Sequence, residues 1–392
     1  MSGAQTGYRW VQGLRQQYAK NLGSQEKDMV LVTGAFGQIG RDFMPILRQL
    51  FGEENVIASD VAKPTASKLN EERYDYDNLQ TIELDVCDRG ALKDAVKSFK
   101  VNRIVHLATM LSAVGEKLPM KAHDVNVQGS LNILECAREI KQNKAFSASG
   151  AGTAKEAPTV ASVFAPSSIA VFGPSTPQDM TPDDVVCSPT TMYGISKLHL
   201  ECLGNYYHER YGIDFRSLRF PGIISASAPG GGTTDYVMDM YSEALKYNQC
   251  TSFLSEDIEL PFMHMEDCLR SAIELLVAPS ESLTRRVYNV TAFSATPREV
   301  YESIRKFIPE IQVQYEPDYR EEIALTWPNS VDDSYARRDW NWQHTYDLDD
   351  ITKDILDALA AERMANMAKF RRKLQDRQRA QEKVQDQEKA TS

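Results

Sequence analysis

Three groups of residues carry side chains able to do chemistry, and spacing defines each of them. In Tyr193-Gly194-Ile195-Ser196-Lys197 a phenol and an ammonium stand four residues apart, on one helix face. A phenol ionises at about pH 10 when unperturbed, so near neutrality it acts as a base only with a cation beside it. Lys197 supplies such a cation and can also hold ribose hydroxyls. Upstream, Val163-Phe164-Ala165-Pro166 reads as the end of a strand and runs into Ser167-Ser168. A serine at the carboxyl end of a parallel strand can donate to a substrate oxygen while Tyr193 takes the proton. The run leaves open which serine does so, and adjacent serines also serve as helix caps.

The third group is Gly34, Gly37 and Gly40, which close the apolar run beginning at Met29 and enclose Gln38 and Ile39. Without side chains the turn lets its backbone approach a pyrophosphate, and the helix start behind it offers free N–H groups and a positive dipole end. Asp60 follows Gly40 by twenty residues, at the end of Val56-Ile57-Ala58-Ser59. A carboxylate there accepts from a ribose 2′-OH and repels a 2′-phosphate, which points to NAD over NADP. A nicotinamide ring bound in this way would add its positive charge to that of Lys197 in favouring a tyrosinate.

The elements that must position these groups follow from the pattern of the chain. From 29 to 222, short β-branched runs alternate with longer helical stretches, as in a parallel sheet with crossover helices. Strands are expected at 29–33, 55–59, 80–84, 103–107, 161–166 and 214–219, and helices from near Gly37, Arg89, Lys121 and Met192. Residues 141–161, rich in Ala, Ser, Gly and Thr, have no apolar periodicity and read as an exposed loop insertion. From 223 to 350 a Gly-rich loop, Pro229 to Asp235, leads into mixed short elements, a smaller lobe over the strand ends. Residues 351–392 read as one charged helix, its first half docked and its end solvated. The arm 1–28 has no acidic residue before Glu26 and places Tyr8, Val11, Leu14 and Tyr18 at helical spacing. It suits a targeting segment or, equally, a short helix packed on the domain. The expected architecture is a doubly wound α/β Rossmann sheet with a C-terminal substrate lobe.

Composition narrows the classes further. Of 392 residues, 42% are hydrophobic and 25% charged, ordinary for a globular chain with a large core. A net charge of −11 argues against nucleic acid as a general partner. No apolar run reaches the ~18 residues that a membrane-spanning helix needs. The six cysteines form no CxxC pair or Cys/His cluster, so no metal site is expected and the thiols suit an intracellular protein.

Together TGAxGxIG at 33–40, SSxxVFG at 167–173 and YGISK at 193–197 make the chain resemble the extended short-chain dehydrogenase/reductases. Pro166 to Pro174, Arg219 to Ser225, Pro229 to Tyr236 and Trp327 to Ser334 resemble more closely the metal-independent L-threonine 3-dehydrogenase family, over roughly 29–350. The resemblance implies Tyr193 as base, Ser168 as its hydroxyl partner and Lys197 on the cofactor ribose. It implies NAD held by Gly34, Gly37, Gln38, Ile39, Gly40, Asp60, Asp85, Val86, Leu107, Ala108, Asn126 and Ile223. For the amino acid L-threonine it implies Ser112, Ser167, Tyr193, Thr234 and Asp235. A zwitterion suits such a set, since its ammonium needs a carboxylate such as Asp235 and its carboxylate needs hydroxyl and backbone donors. Thr233-Thr234-Asp235 also suits a helix N-cap. Family analogy adds a homodimer through the helix of the YxxxK motif and, with the acid-poor arm, a mitochondrial location, the cytoplasm being the alternative.

Two features depart from the family pattern: the 141–161 insertion, and Phe262-Met263-His264, where His264 suits a packed lobe residue. His106, inside a strand, reads as core. The rival enzyme class is a nucleotide-sugar epimerase or dehydratase, which needs arginines for a diphosphate; Arg285, Arg286, Arg298 and Arg305 are the candidates. The rival of another kind is a non-catalytic NAD-sensing scaffold, in which the Tyr/Lys pair is typically broken.

Overall fold

The apolar run before the first glycines forms the central strand of a parallel sheet. The computed structural model describes residues 9–22, 28–62, 79–149, 161–226 and 231–391. The chain begins α1 (Arg9–Leu22), β1 (Val30–Thr33), α2 (Gln38–Phe51), β2 (Val56–Asp60), β3 (Gln80–Glu83), α3 (Arg89–Ser98) and β4 (Arg103–His106). It continues α4 (Ser112–Lys117), α5 (Pro119–Ala122), a π-helical turn (His123–Gln128), α6 (Gly129–Ser149), β5 (Ser162–Phe164), β6 (Ser167–Ser168), α7 (Met192–Tyr211) and β7 (Asp214–Phe220). Then come β8 (Gly222–Ile224), α8 (Tyr236–Tyr247), β9 (Gln249–Ser252), β10 (Leu260–His264), α9 (Met265–Val277), β11 (Val287–Asn289) and β12 (Phe293–Ala295). The chain ends α10 (Pro297–Phe307), β13 (Gln312–Tyr315), α11 (Tyr319–Ala324), α12 (Ser334–Trp340) and α13 (Leu348–Thr391).

The large sheet has the order β11-β7-β5-β4-β1-β2-β3, with β6 beside β7 and every pairing parallel. β1, β2, β4 and β5 are buried on both faces, as the inner strands of a sheet covered on both sides must be, whereas the edge strand β3 is only half-buried. Side-chain alternation divides the core. Val30, Val32, Val56, Ala58, Val105 and Phe164 pack under α2 and α9, whereas Leu31, Ile57, Ile104 and Val163 pack against α3, α6 and α7. Each such fully buried aliphatic side chain contributes about 2 kcal/mol. Strand order reverses between β1 and β4, and the crevice at their carboxyl ends is where such sheets bind ligands. Gly34 follows one of these strands and Leu107 the other.

The lobe is built on the sheet β12-β10-β8 and the pair β13-β9, around a second core with Tyr236, Tyr241, Phe262 and Trp327. A single cut at 222 does not separate it, because β11 returns to the large sheet against β7 and α9 packs in the same core as α2. Residues 141–149 are the end of α6, a helix and not a loop. Their Lys, Gln and Ala are good helix formers, a preference that the missing apolar period does not register. Residues 150–160 lie outside the described residues. In α1, Val11 and Tyr18 are buried, Trp10 Nε1 donates to Glu266 Oε1 at 3.2 Å and the Tyr18 hydroxyl donates to Asp28. This part of the arm is therefore a helix packed on the domain. In α13, Ile351, Ile355 and Leu356 are buried and Leu359 packs against them, while Met364, Met367 and Phe370 are exposed, so docking ends about three turns before the apolar pattern does. No described helix is long and apolar enough to cross a membrane.

Candidate active site

The turn after β1 is shaped by its own backbone. Gly34 has φ +67°, and a Cβ there would lie 2.6 Å from Ala108 N; one on Gly40 would lie 2.4 Å from Gly34 O. Both glycines let β1, β4 and α2 close on one another. A Cβ on Gly37 would meet only Gly34 O, at 3.3 Å, so this glycine faces the open side. Gly37 is the N-cap of α2, no side chain caps that helix, and its first turn holds no acidic residue. Amides left in this way, at the positive end of a helix, suit a pyrophosphate. Asp60 is fixed at the end of β2, its Oδ2 accepting from Phe36 N at 3.1 Å and its Oδ1 from Val61 N at 2.8 Å. A carboxylate has about four lone-pair sites, so capacity for ribose hydroxyls remains. The residues present fit a dinucleotide.

The YxxxK motif begins α7. Thr191 Oγ1 accepts from Gly194 N at 3.0 Å to cap the helix. A Cβ on Gly194 would fall 2.1 Å from Ala170 O, and this close seat brings α7 against the turn that follows β6. Ser168 lies beside the Tyr193 phenol and favours its ionised form, but burial outweighs this and pushes the phenol up to about 12. Lys197 Nζ donates to Pro166 O at 2.7 Å and lies 5.5 Å from the Tyr193 ring centroid. Burial takes the Lys197 ammonium down to about 8, with Glu201 opposing. The protein alone thus gathers the base, the hydroxyl and the cation, but does not lower the phenol.

Ser167 and Ser168 point to opposite faces, as successive strand residues must. Ser168 faces Tyr193. Ser167 is buried and donates to Glu201 Oε1 at 2.5 Å, so it does not line the substrate space. Glu201 also takes Arg219 Nε at 3.0 Å and Nη2 at 2.8 Å. Four residues beyond Lys197, Glu201 was detectable by helical spacing, yet its type gave no reason to single it out.

Around the lobe loop the contacts differ from those expected. The Ser112 hydroxyl meets Thr233 Oγ1 at 3.1 Å, not Thr234, whose methyl packs over Gly222. Asp235 stands at the N-cap of α8 without capping it; its Oδ2 accepts from Gly231 N and Gly232 N, both at 2.8 Å. Asn126 spends its carboxamide inside the protein, accepting from Met110 N at 2.7 Å and donating to Met110 O at 3.0 Å and Ser196 Oγ at 3.2 Å. It joins the loop after β4 to α7 and leaves no amide group for a cofactor. The Val86 side chain is buried beneath Gly129, which makes it packing, while Asp85 Oδ1 accepts from Cys87 N at 2.9 Å. Leu107 N donates to Thr33 O at 2.9 Å, which sets Leu107 and Ala108 along the turn. Gln38 Nε2 reaches Ser225 Oγ at 3.3 Å, just past Ile223 in β8.

His106 and His264 are structural. His106 is buried between Thr33 Oγ1 at 2.8 Å and Ser130 Oγ at 3.2 Å. Burial, with the Lys197 charge, takes it down to about 3. His264 accepts from Glu266 N at 3.3 Å, pairs with Asp354 at 3.3 Å and stacks on Tyr346. Three of the four arginines that a diphosphate would need are held in ion pairs: Arg285 with Asp184, Arg286 with Asp214 and Arg298 with Glu256 and Asp257. Arg305 lies over the Tyr301 ring.

With this geometry in hand, comparison with known proteins is specific. Residues 30–291 match the NAD dependent epimerase/dehydratase family. "L-threonine 3-dehydrogenase, mitochondrial" of Bos taurus is 39% identical over 341 residues, 86% of this chain and 84% of its own. The crystal structure of L-threonine dehydrogenase from Phytophthora infestans is 46% identical with a TM-score of 0.76, covering 86% of this chain and 100% of that one. The X-ray structure of the Clostridium difficile L-threonine dehydrogenase is 40% identical with a TM-score of 0.77, covering 86% and 99%. The chain belongs to the NAD dependent epimerase/dehydratase family and, within it, to the L-threonine 3-dehydrogenases of extended short-chain type.

Proposed function

We propose that this protein oxidises L-threonine at C3 to 2-amino-3-oxobutanoate, with NAD in preference to NADP as its cofactor. One observation carries the reading: Ser168, Tyr193 and Lys197 gather at the carboxyl-end side of the parallel sheet, the side on which the uncapped start of α2 also lies. Gly34, Gly37, Gln38, Ile39 and Gly40 would hold the pyrophosphate, Asp60 the adenosine ribose and Lys197 the nicotinamide ribose. When bound, NAD supplies the hydride acceptor and a positive ring that favours the phenolate. Tyr193 Oη takes the C3 hydroxyl proton, and Ser168 donates to the same oxygen as it becomes a carbonyl. Lys197 stabilises the tyrosinate that must be present before the proton is taken, and fixes the tyrosine's surroundings. Ser112, Thr233, Thr234 and the Asp235 loop form the wall that receives the zwitterion.

We further propose a homodimer through α7, where Ile195 and Tyr206 are exposed, to be read by light scattering. A mitochondrial location is supported by the bovine relative's name; fractionation of the full chain tests it against the cytoplasm. The reaction is tested by NADH formation with L-threonine, D-threonine, L-serine and UDP-galactose. Turnover confined to L-threonine is expected. Conversion of the sugar nucleotide with silence towards threonine contradicts the reading.

A further inference from the structure

We infer that Glu201, clasped between Ser167 and Arg219, is a positioning residue that decides which of the two adjacent serines faces Tyr193. The inference rests on the reading of Ser168, Tyr193 and Lys197 given above. β6 is two residues long and pairs with β7 alone, at Ser167↔Arg219 and Ser168↔Phe220. So short a ladder gives little resistance to slippage, and a slip of one residue would turn Ser168 away and bring Ser167 to the tyrosine. Side chains of α7 provide the resistance. Tyr193, Lys197 and Glu201 fall at i, i+4 and i+8, on one stripe of the helix. Lys197 Nζ donates to Pro166 O at 2.7 Å and Glu201 accepts from the Ser167 hydroxyl at 2.5 Å, while Ser168 lies beside the Tyr193 phenol. Two consecutive residues, Pro166 and Ser167, are thereby stitched to successive turns of one helix, which leaves Ser168 beside Tyr193 on the turn before.

The stitch is strong because it is dry and charged. Glu201 is 3% exposed and Arg219 7%, and their bidentate pair fixes the carboxylate in rotation as well as position. Arg219 is itself the register partner of Ser167 and is held by Asp183 O at 3.1 Å and Asn289 Oδ1 at 3.3 Å. Glu201 also acts on Lys197 through its field. The charged or titratable groups around that ammonium are Tyr193 and Glu201 from α7 and His106 from β4, and His106 is neutral. Glu201 is thus the neighbouring anion that keeps Lys197 cationic against burial.

Two variants separate positioning from mere support. Ser167→Ala leaves the Glu201–Arg219 pair intact and removes the stitch. Its kcat per NADH-binding site should fall about tenfold, with NADH affinity and the pH profile unchanged, since displacement of a catalytic group by a fraction of an ångström costs that much. Glu201→Gln keeps an acceptor for Ser167 and removes the charge. In that variant the Lys197 ammonium should titrate at lower pH, read by isotope-edited NMR without substrate, and the alkaline limb of kcat should move with it. A purely structural role would lower the number of NADH-binding sites and leave kcat per site untouched. Wild-type kcat per site in Ser167→Ala overturns the inference, whether or not Glu201→Gln folds. If the wild type does not oxidise L-threonine, the proposed function fails, and an unmoved Lys197 titration in Glu201→Gln separately overturns the inference.

Discussion

Two glycine-rich turns enter helices in this chain, 33–40 into α2 and 231–235 into α8, and they use their amides in opposite ways. In the first, no side chain caps the helix and Gly37 faces open space, so the amides are left to a ligand. In the second, Asp235 folds back on Gly231 and Gly232 and consumes theirs. Glycine content alone does not make an anion site. What matters is whether the turn's own side chains occupy its donors.

Substitutions can break this contrast or sharpen it. The largest effect is expected for Gly40→Val, whose Cβ would lie 2.4 Å from Gly34 O. NADH binding to the folded variant, measured by calorimetry, should weaken about 100-fold, or about 2.7 kcal/mol; wild-type affinity would remove the first turn from the cofactor site. Asp60→Ala should reduce the preference for NAD over NADP about thirtyfold, since a hydrogen bond to a charged group is worth about 2 kcal/mol. An unaltered ratio of kcat/KM values would place the discriminating contact elsewhere.

The support under the first turn has a pH signature. His106 bonds Thr33 and is held down to about 3 in the folded protein, against about 6.5 when unfolded. Below the unfolded value only the unfolded chain takes up this proton, so the contribution is complete above about pH 6.5 and shrinks as pH falls towards the folded value. Urea unfolding should lose about 2 kcal/mol from this group between pH 6.5 and 5. His106→Gln should flatten that part of the slope, and an unchanged slope would mean the imidazole is not buried neutral. The smallest effect is expected at the second turn. Asp235→Ala should raise KM for L-threonine about tenfold with NADH affinity unchanged, because the loss of charge-assisted bonds loosens the loop. A variant that instead lost NADH binding would show the two turns to be coupled.

Much of the large sheet was legible in the chain. β-branched runs placed β1, β2, β3, β4 and β7 to within a residue or so; for β1 and β2 the reason is that strands buried on both faces are largely apolar. The YxxxK spacing put Tyr193 and Lys197 on one face, since helix geometry fixes that without help from the rest of the fold. Side-chain direction off the helices was not legible. Ser167 or Ser168, and Thr233 or Thr234, are choices between neighbours that only strand register and loop closure make. Asn126 sits in a π-helical turn, and its carboxamide went to Met110 and Ser196 through contacts that no local pattern announces. The return of β11 to the large sheet was hidden because a three-residue strand carries too little periodicity to read.

The most direct measurement is the turnover of Tyr193→Phe with L-threonine and NAD, set beside its NADH affinity. Loss of the proton acceptor should lower kcat by about 100-fold or more while NADH binds as in the wild type. Turnover at the wild-type rate would contradict the assignment of Tyr193 as the base, and with it the account of this site.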